Sequence, residues 1–246
     1  MKKGFHYALL TAAILTLASC STTKYVPDGS YLLDEVRIHT DNKNVKPSNL
    51  SIYVRQNPNS KWFSLIKTQL YVYNWSGRDS TCWVNRALRR LGDAPVIYSK
   101  EETERSLKEM TKAVQNMGYM GATVEYIPKI KKKKVKLAYK VNTGEPYIVR
   151  SLKYDVQDEK VWEYMQKDSG STYLSEGMYF NANILDSERQ RITGNLLRNG
   201  YYKFNKDYIS YTADTVRGTY QVDLTLHLAR YRQHSGAELQ DHPQYT

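Results

Sequence analysis

Two stretches of this chain repeat one pattern of predicted elements, and the repeat limits the fold more than any other feature. An amphipathic helical segment ends at Gly118-Tyr119, and a second one ends 82 residues later at Gly200-Tyr201. Each is followed by an alternating strand, a polar turn and another alternating strand. In the last strand Val135 corresponds to Val222, so the spacing has grown by five residues. The sequence therefore predicts two copies of one folding unit.

Periodicity and end signals predict one long helix in each copy. In residues 99–117 the apolar side chains fall three or four positions apart, which gives the helix a single buried face. Ser99 and Glu102 have capping-box spacing at its start. The second helix is predicted over residues 183–199, and we expect its polar segment 186–189 to be solvated.

A strand and a short helix precede each long helix. The strands are predicted at residues 31–38 and 147–154, each after a turn that contains glycine and proline. Short helices with an apolar pattern follow near residues 48–56 and 158–166. The order is therefore β-α-α-β-β in both copies, which predicts an α+β fold made of two tandem modules.

These elements also predict how the chain is divided. The first copy occupies residues 31–143 and is enlarged by an insertion at about 58–98. The second copy occupies residues 144–231 and has no counterpart of the insertion. Residues 20–30 are predicted to be a tether. Residues 232–246 are predicted to be a linker that opens a third module, because their His-Pro-Gln-Tyr ending resembles the Glu-Pro-Tyr-Ile at the start of the second copy.

The insertion is rich in aromatic residues. Residues 82–91 predict a short helix that ends at Gly92, with Arg86, Arg89 and Arg90 facing outward. Two interpretations remain open, a hydrophobic subcore beneath the insertion or an aromatic and basic surface at a membrane interface. The large apolar residues concerned are Trp62, Phe63, Leu65, Ile66, Tyr71, Tyr73, Trp75 and Trp83.

The first twenty residues match an export signal. Lys2 and Lys3 precede an apolar stretch, residues 7–18, that is too short to span a bilayer. The stretch leads into Leu-Ala-Ser-Cys, which resembles a bacterial lipobox, where the chain is cut before the cysteine and the cysteine is acylated. We therefore expect a signal peptide over residues 1–19 and lipidation of Cys20. The alternative is a soluble secreted protein with a chance cysteine at the cleavage site.

Net charge bears on the choice of partner. The chain has 36 Lys and Arg residues against 25 Asp and Glu, a formal charge of +11, which by itself would suggest nucleic acid. An exported, tethered chain does not meet nucleic acid in the cytoplasm, so the charge is assigned to anionic lipid, to acidic clients or to solubility. Ser21 after the cysteine favours the outer membrane, by resemblance to known lipoprotein sorting. Residues 131–134, four lysines between two strands, are interpreted as a polar hairpin turn or as a contact for lipid headgroups or acidic segments.

No motif for catalysis, metal binding or cofactor binding occurs in the sequence. The five His residues lack the spacing of a zinc site, and there is no nucleophile elbow, phosphate loop or dinucleotide fingerprint. His227 is interpreted as an outward-facing polar residue of a strand. Cys82 is interpreted as a small buried apolar residue or as a reactive thiol. We therefore predict no enzyme, no cofactor and no metal.

Together these features resemble the polypeptide-transport-associated (POTRA) domain family. The resemblance lies in the doubled β-α-α-β-β order, the Gly-Tyr after each long helix, and the segments 144–149 and 92–98. With the lipobox, residues 20–231 resemble the lipid-anchored branch of the BamA/TamA-type outer-membrane assembly factors. Members of that family carry a membrane β-barrel after such modules, whereas no run of barrel strands follows here. We therefore expect either a piece of a longer protein or a tethered module, and carry over no insertase activity.

The resemblance implies a binding function. It describes a lipid-anchored outer-membrane protein on the periplasmic side that binds or scaffolds nascent outer-membrane proteins, with unfolded outer-membrane proteins or assembly subunits as partners. The physical route is strand addition to exposed sheet edges, predicted near residues 122–129 and 203–211. Pro128 marks the first of these as an edge strand, because proline cannot donate to a central ladder. The alternatives are an envelope scaffold lipoprotein with one fixed protein partner and a periplasmic hydrolase.

Overall fold

A computed structural model describes residues 21–62 and 66–245. The predicted signal peptide, residues 1–19, and Cys20 lie outside the described residues. Within them the chain has an α+β fold with two three-stranded sheets. No helix in this part of the chain is both long and apolar enough to cross a bilayer.

The elements of the first copy follow the predicted order, with two extra helices in the insertion. They are β1 (Leu32–Thr40), α1 (Pro47–Leu50), α2 (Thr68–Trp75), α3 (Trp83–Leu91), α4 (Lys100–Asn116), β2 (Thr123–Lys131) and β3 (Lys134–Asn142). The second copy contains β4 (Ile148–Asp155), α5 (Glu159–Lys167), α6 (Ala182–Arg198), β5 (Ile209–Thr215) and β6 (Gln221–Leu228). The tandem β-α-α-β-β architecture is therefore confirmed.

The two sheets have the same strand order. The orders are β1-β3-β2 and β4-β6-β5, with the first strand of each copy parallel to its last. Each parallel pair carries a bulge at the same place, between Leu33 and Glu35 in one copy and between Val149 and Ser151 in the other. Helices α4 and α6 each have 17 residues and begin 82 positions apart, at Lys100 and Ala182. The repeat read from the sequence is thus present in the fold.

The cores lie on one face of each sheet. One set of alternating side chains of β3 and β6 is buried: Val135, Leu137, Tyr139, Val141, Val222, Leu224, Leu226 and Leu228. In the second copy, Val161 from α5 and Ile192 and Leu196 from α6 cluster with Leu226. The predicted alternation therefore separates a buried face from an exposed one.

The chain divides into two compact units. One unit contains the residues up to Met110 together with Val124–Asn142. The other contains Thr111–Thr123 and the residues from Thr143 onward. The division departs from the sequence repeat at residues 111–123, where the backbone N–H of Tyr147 donates to the carbonyl of Gly118 at 2.9 Å.

The predicted signals at the helix ends are present. The backbone N–H of Glu102 donates to the Ser99 hydroxyl at 3.3 Å. Gly118 and Gly200 have φ angles of +98° and +89°, the left-handed conformation that ends a helix. One expectation was wrong, because Glu188, within the segment predicted to be solvated, is only 1% exposed.

The insertion does not bury most of its tryptophans. Leu70 packs in a small buried cluster with Val26 and Leu32, whereas Trp62 and Trp83 are 64% and 73% exposed. The exposed tryptophans therefore take no part in a hydrophobic subcore, and Phe63 and Leu65 lie outside the described residues.

The short helix of the insertion differs from its prediction at one arginine. Arg86 and Arg90 are exposed as expected. Arg89 instead turns inward and donates to the Ser76 hydroxyl at 3.2 Å and to the Gly77 carbonyl at 2.8 Å. Its place one turn after Asn85, which also bonds Gly77, puts it on the packed side of the helix.

Candidate functional site

The candidate site consists of the two sheet edges that the repeat predicts. Strand β2 lies at an edge next to β3, as its proline indicated, and β5 lies at an edge next to β6. The bounds predicted for β5 were wrong, because the strand begins at Ile209. The Asn205 side chain accepts from the Asp207 N–H at 2.8 Å and holds residues 206–208 in a 3₁₀ turn.

The opposite edges are partly covered in both copies. The Leu33 N–H of β1 donates to the Val96 carbonyl at 2.8 Å, directly before α4. The Val149 N–H of β4 donates to the Met178 carbonyl at 2.9 Å, directly before α6. These equivalent bridges close the starts of β1 and β4, so β2 and β5 are the edges better suited to another strand.

The two edges differ in chemistry. In β2, Ile127 and Ile130 are 45% and 54% exposed, and Lys129 and Lys131 lie beside Ile130 in the sequence. In β5 the exposed positions are Ser210, Thr212, Asp214 and Thr215. An extended chain could bond the backbone of either edge, but its side chains would meet apolar and cationic groups at β2 and polar or anionic groups at β5.

The lysine turn lies at one end of the first sheet. Lys132 has a φ angle of +54° and, with Lys133, connects β2 to β3. The Lys133 ammonium lies 2.7 Å from a carboxylate oxygen of Asp28, and this hydrogen bond lowers the pKa of that carboxyl group. The prediction of a polar hairpin turn is confirmed.

A hollow of about 190 Å³ lies on the outward face of the first sheet. The residues that line it are Glu35, Arg37, His39, Lys129, Lys136, Leu137 and Ala138. The Glu35 carboxylate is 2.7 Å from Arg37 and 3.2 Å from Lys136. Hydrogen bonds from Arg37, and then from Lys136, lower the pKa of Glu35. The basic residues that line the hollow therefore outnumber its one carboxylate, Glu35, which is already paired with Arg37 and Lys136.

The outward face of the second sheet carries a hydrogen-bonded chain across three strands. The Thr212 hydroxyl is 2.9 Å from Nε2 of His227, and Nδ1 of His227 is 2.9 Å from Asp155. His227 thus faces outward, as predicted. The chain crosslinks β5, β6 and β4, because its three residues belong to neighbouring strands.

The two cysteines and the expected lack of a metal site complete the sequence predictions for the site. Cys82 is half-buried and directly precedes α3, so it is not the fully buried apolar residue considered for it. Among the described residues no group of three or more His, Cys, Asp or Glu side chains is placed to hold a metal ion. The predicted lipidation residue, Cys20, lies outside the described residues.

Some contacts could not be found from sequence patterns. Thr22 and Val26, in the predicted tether, are buried at 7% and 5% exposure. At the other end of the chain His242 is 6% exposed, and its backbone N–H donates to Asp158 at 2.8 Å. Neither segment has a periodicity that could have shown it, because each is too short to form an element of its own.

Comparison with known proteins finds a family match for the first copy. Residues 31–144 match the family model of POTRA, described as surface antigen variable number repeat. No curated protein matches the chain.

Solved structures give weaker likenesses. BamA from Haemophilus ducreyi lacking POTRA domains 1–3 is 17% identical with a TM-score of 0.39, over 80% of this chain and 29% of that one. POTRA3–5 of Haemophilus influenzae BamA is 15% identical with a TM-score of 0.32, over 83% and 99%. POTRA1–2 of Omp85 from Anabaena is 14% identical with a TM-score of 0.33, over 82% and 98%. The chain thus spans less than a third of the first of these proteins.

Proposed function

We propose, from the premise that residues 31–144 form a domain of the POTRA family, that this chain binds or scaffolds nascent outer-membrane proteins by strand addition. It would do so as an outer-membrane lipoprotein that faces the periplasm. The observation that carries the proposal is that each sheet ends in a strand, β2 or β5, paired on one side only within the described chain.

Strand addition fits a client with no fixed sequence. Backbone N–H and C=O groups at a sheet edge bond an extended chain of almost any composition. Outer-membrane barrel strands alternate apolar and polar residues, so the apolar face of an extended barrel segment could lie beside Ile127 on one face of the sheet or beside Ile130 on the other. The lysines beside them suit clients with acidic residues.

The anchor part of the proposal rests on the sequence around Cys20. Charged, apolar and small residues precede this cysteine in lipobox order. Two or more acyl chains hold a protein on a membrane far more stably than one, since each buried methylene group contributes about 0.8 kcal/mol. The anchor is tested by mass spectrometry of the mature N-terminal peptide. An unmodified cysteine there would contradict it, and Cys20→Ala should remove the added mass.

The alternative is a scaffold with one fixed protein partner. The difference between the two edges favours it, because an apolar, cationic β2 and a polar, acidic β5 select more strongly than two equal edges would.

Site-specific photo-crosslinking in the cell separates the two functions. A benzophenone side chain replaces Ile127 in β2 or Asp214 in β5, and Glu104 on α4, 50% exposed, is the control position. Client binding predicts crosslinks from the edges to several different outer-membrane proteins. One stoichiometric product supports the scaffold. Equal yields from the edges and from Glu104 would refute strand addition.

A further inference from the structure

We propose that the outward face of α3 lies in the headgroup region of the bilayer to which the protein is anchored, and that it binds anionic phospholipid. The inference rests on the lipid anchor of the proposed function. It assigns a role to the insertion, which has no counterpart in the second copy.

One side of α3 packs against the end of α2. The Asn85 side chain accepts from the Gly77 N–H at 2.7 Å, and Arg89 donates to the Gly77 carbonyl at 2.8 Å. Gly92, just past the helix, is so close to α2 that a Cβ there would lie 2.3 Å from the backbone nitrogen of Tyr73. Residues 85, 89 and 92 are three and four positions apart, so they mark a single face of the helix.

The opposite face of α3 is apolar and exposed. Trp83, Val84, Ala87 and Leu91 follow the i, i+1, i+4, i+8 spacing of one helical stripe. Trp83, Val84 and Leu91 are 73%, 42% and 71% exposed. A soluble surface helix normally turns such a stripe toward a core, whereas here the core side is occupied by the polar contacts to α2.

Arginines flank this stripe. Arg86 and Arg90 are exposed and lie one turn apart on the edge of the apolar face. Over residues 58–98 there are six Lys and Arg residues against two Asp. A short helix with Trp and Leu on one side and arginine beside them is the pattern of a helix that lies in a membrane interface.

The segment that follows the anchor indicates that the exposed face of α3 meets the membrane. The Lys24 ammonium donates to the carbonyls of Asn74 and Ser76 at 3.0 and 2.7 Å. The Tyr25 ring lies 5.5 Å from the Arg89 guanidinium. Tyr25 is five positions after Cys20, and a fully extended chain covers at most about 3.6 Å per residue. An acylated Cys20 therefore keeps the α2–α3 pair within roughly 18 Å of the bilayer, close enough for an apolar, cationic face to meet headgroups.

Fluorescence quenching by brominated lipid tests this placement. The mature full chain carrying Trp62→Phe and Trp75→Phe retains Trp83 and Trp162, and Trp162 is partly buried against the core of the second copy. It is reconstituted in vesicles of phosphatidylethanolamine and phosphatidylglycerol, with or without bromine on the acyl chains. Quenching is short-ranged, so we expect brominated vesicles to remove about half of the emission, that of an interfacial Trp83.

Two variants of this protein are matched controls. Adding Trp83→Phe leaves Trp162 alone and should abolish the loss of emission. Arg86→Glu with Arg90→Glu should reduce the loss in vesicles that contain phosphatidylglycerol, while a reduction as large in purely zwitterionic vesicles would contradict the assigned anionic lipid.

Mass spectrometry of the same preparation separates this inference from the proposed anchor. Acylated Cys20 without quenching of Trp83 overturns the membrane face and leaves the anchor intact. Quenching with unmodified Cys20 supports the membrane face and removes the anchor. Absence of both overturns both, and protection of Trp83 by a bound protein in place of lipid would likewise overturn the assignment.

Discussion

The two copies use different side chains to accept the same kind of backbone N–H group. Ser106 in α4 and Glu188 in α6 occupy equivalent positions, 82 residues apart, and each is 1% exposed. The Ser106 hydroxyl accepts the N–H of residue 55 at 2.9 Å, and the Glu188 carboxylate accepts the N–H of Tyr173 at 3.1 Å. In both copies, a buried side chain of the long helix therefore accepts a backbone N–H from the segment that follows the short helix.

The difference appears three positions further along each helix. Glu109 in the first copy pairs with Arg55 in a half-exposed ion pair. Arg191 in the second copy is 13% exposed, lies 2.7 Å from Glu188 and also pairs with Asp168. Hydrogen bonds from Arg191, Tyr173 and Thr172 lower the pKa of Glu188 despite its burial. A buried hydroxyl needs no counter-charge, whereas a buried carboxylate does.

Removing that counter-charge should produce the largest effect. Arg191→Met leaves Glu188 buried and uncompensated, which typically lowers the free energy of unfolding by about 3–5 kcal/mol. Hydrogen exchange at the α6 amides measures it. The equivalent change in the first copy, Glu109→Gln, should have a much smaller effect on α4 because its partner is solvated. Equal losses in α4 and α6 would contradict the comparison.

Two glycines of the second copy, both in the left-handed conformation, are expected to respond differently to an added methyl group. Gly200 has a φ angle of +89°, and a Cβ there would lie 2.3 Å from the Tyr245 carbonyl oxygen. Gly177 has a similar φ of +82° but nothing within 4 Å of its Cβ position. Gly177→Ala should cost about 1–2 kcal/mol for the left-handed backbone alone, and Gly200→Ala clearly more. Thermal unfolding compares the two, and similar losses would mean that the contact with Tyr245 is unimportant.

Acid should weaken the second copy through His242. The ring lies between Phe204 and Tyr208, with centroids 4.9 and 4.7 Å away, and burial lowers the pKa of His242 below its usual 6.5. The folded protein therefore resists protonation at a pH where the unfolded chain accepts a proton. This contribution is fully present above pH 6.5 and is lost as the pH falls below it, by at most about 1.4 kcal/mol per pH unit.

The pH effect is measured by denaturant unfolding between pH 5 and pH 8. His242→Gln should flatten the part of the curve that it causes, because the substituted side chain does not titrate. Asp158, which accepts from the backbone N–H of residue 242, keeps that hydrogen bond in the variant. An unchanged slope in His242→Gln would assign the acid sensitivity to other groups.

The smallest effect should come from the neutral member of the compared pair. Ser106→Ala removes one hydrogen bond to a backbone N–H and leaves no buried charge, so about 1 kcal/mol of stability should be lost. Urea unfolding followed by fluorescence of the first-copy tryptophans measures it. A loss of stability as large as that of Arg191→Met would contradict the expected difference between a buried neutral side chain and a buried charged one.

The long elements could be predicted because their signals are local. The apolar spacing of α4 and α6 and the alternation of β3 and β6 each extend over enough residues to exclude other elements. Their ends are marked by Ser99 and by Gly118 and Gly200. The start of β5 could not be predicted from the strand pattern of residues 203–208. There the Asn205 side chain accepts from the Asp207 N–H, and residues 206–208 form a 3₁₀ turn instead.

The candidate site was predictable only in part. The edge position of β2 follows from Pro128, because a missing N–H excludes a central strand. The pairing of Glu188 with Arg191, three positions later on the same helix, has a local signal, but the burial of Glu188 has none, since Thr172 and Tyr173 reach it from outside α6. The inward turn of Arg89 is similar, because it depends on carbonyl groups at the end of another helix.

The burial of Thr22 and Val26 has a mechanical consequence for a protein held by its N-terminus. A long unstructured linker would let the folded part move through a wide volume above the membrane. Here burial begins two positions after Cys20, so acylation would hold the first unit close to the membrane and limit its search for clients to two dimensions. Lengthening the segment after Cys20 would then change how far the edge strands reach, while leaving their chemistry untouched.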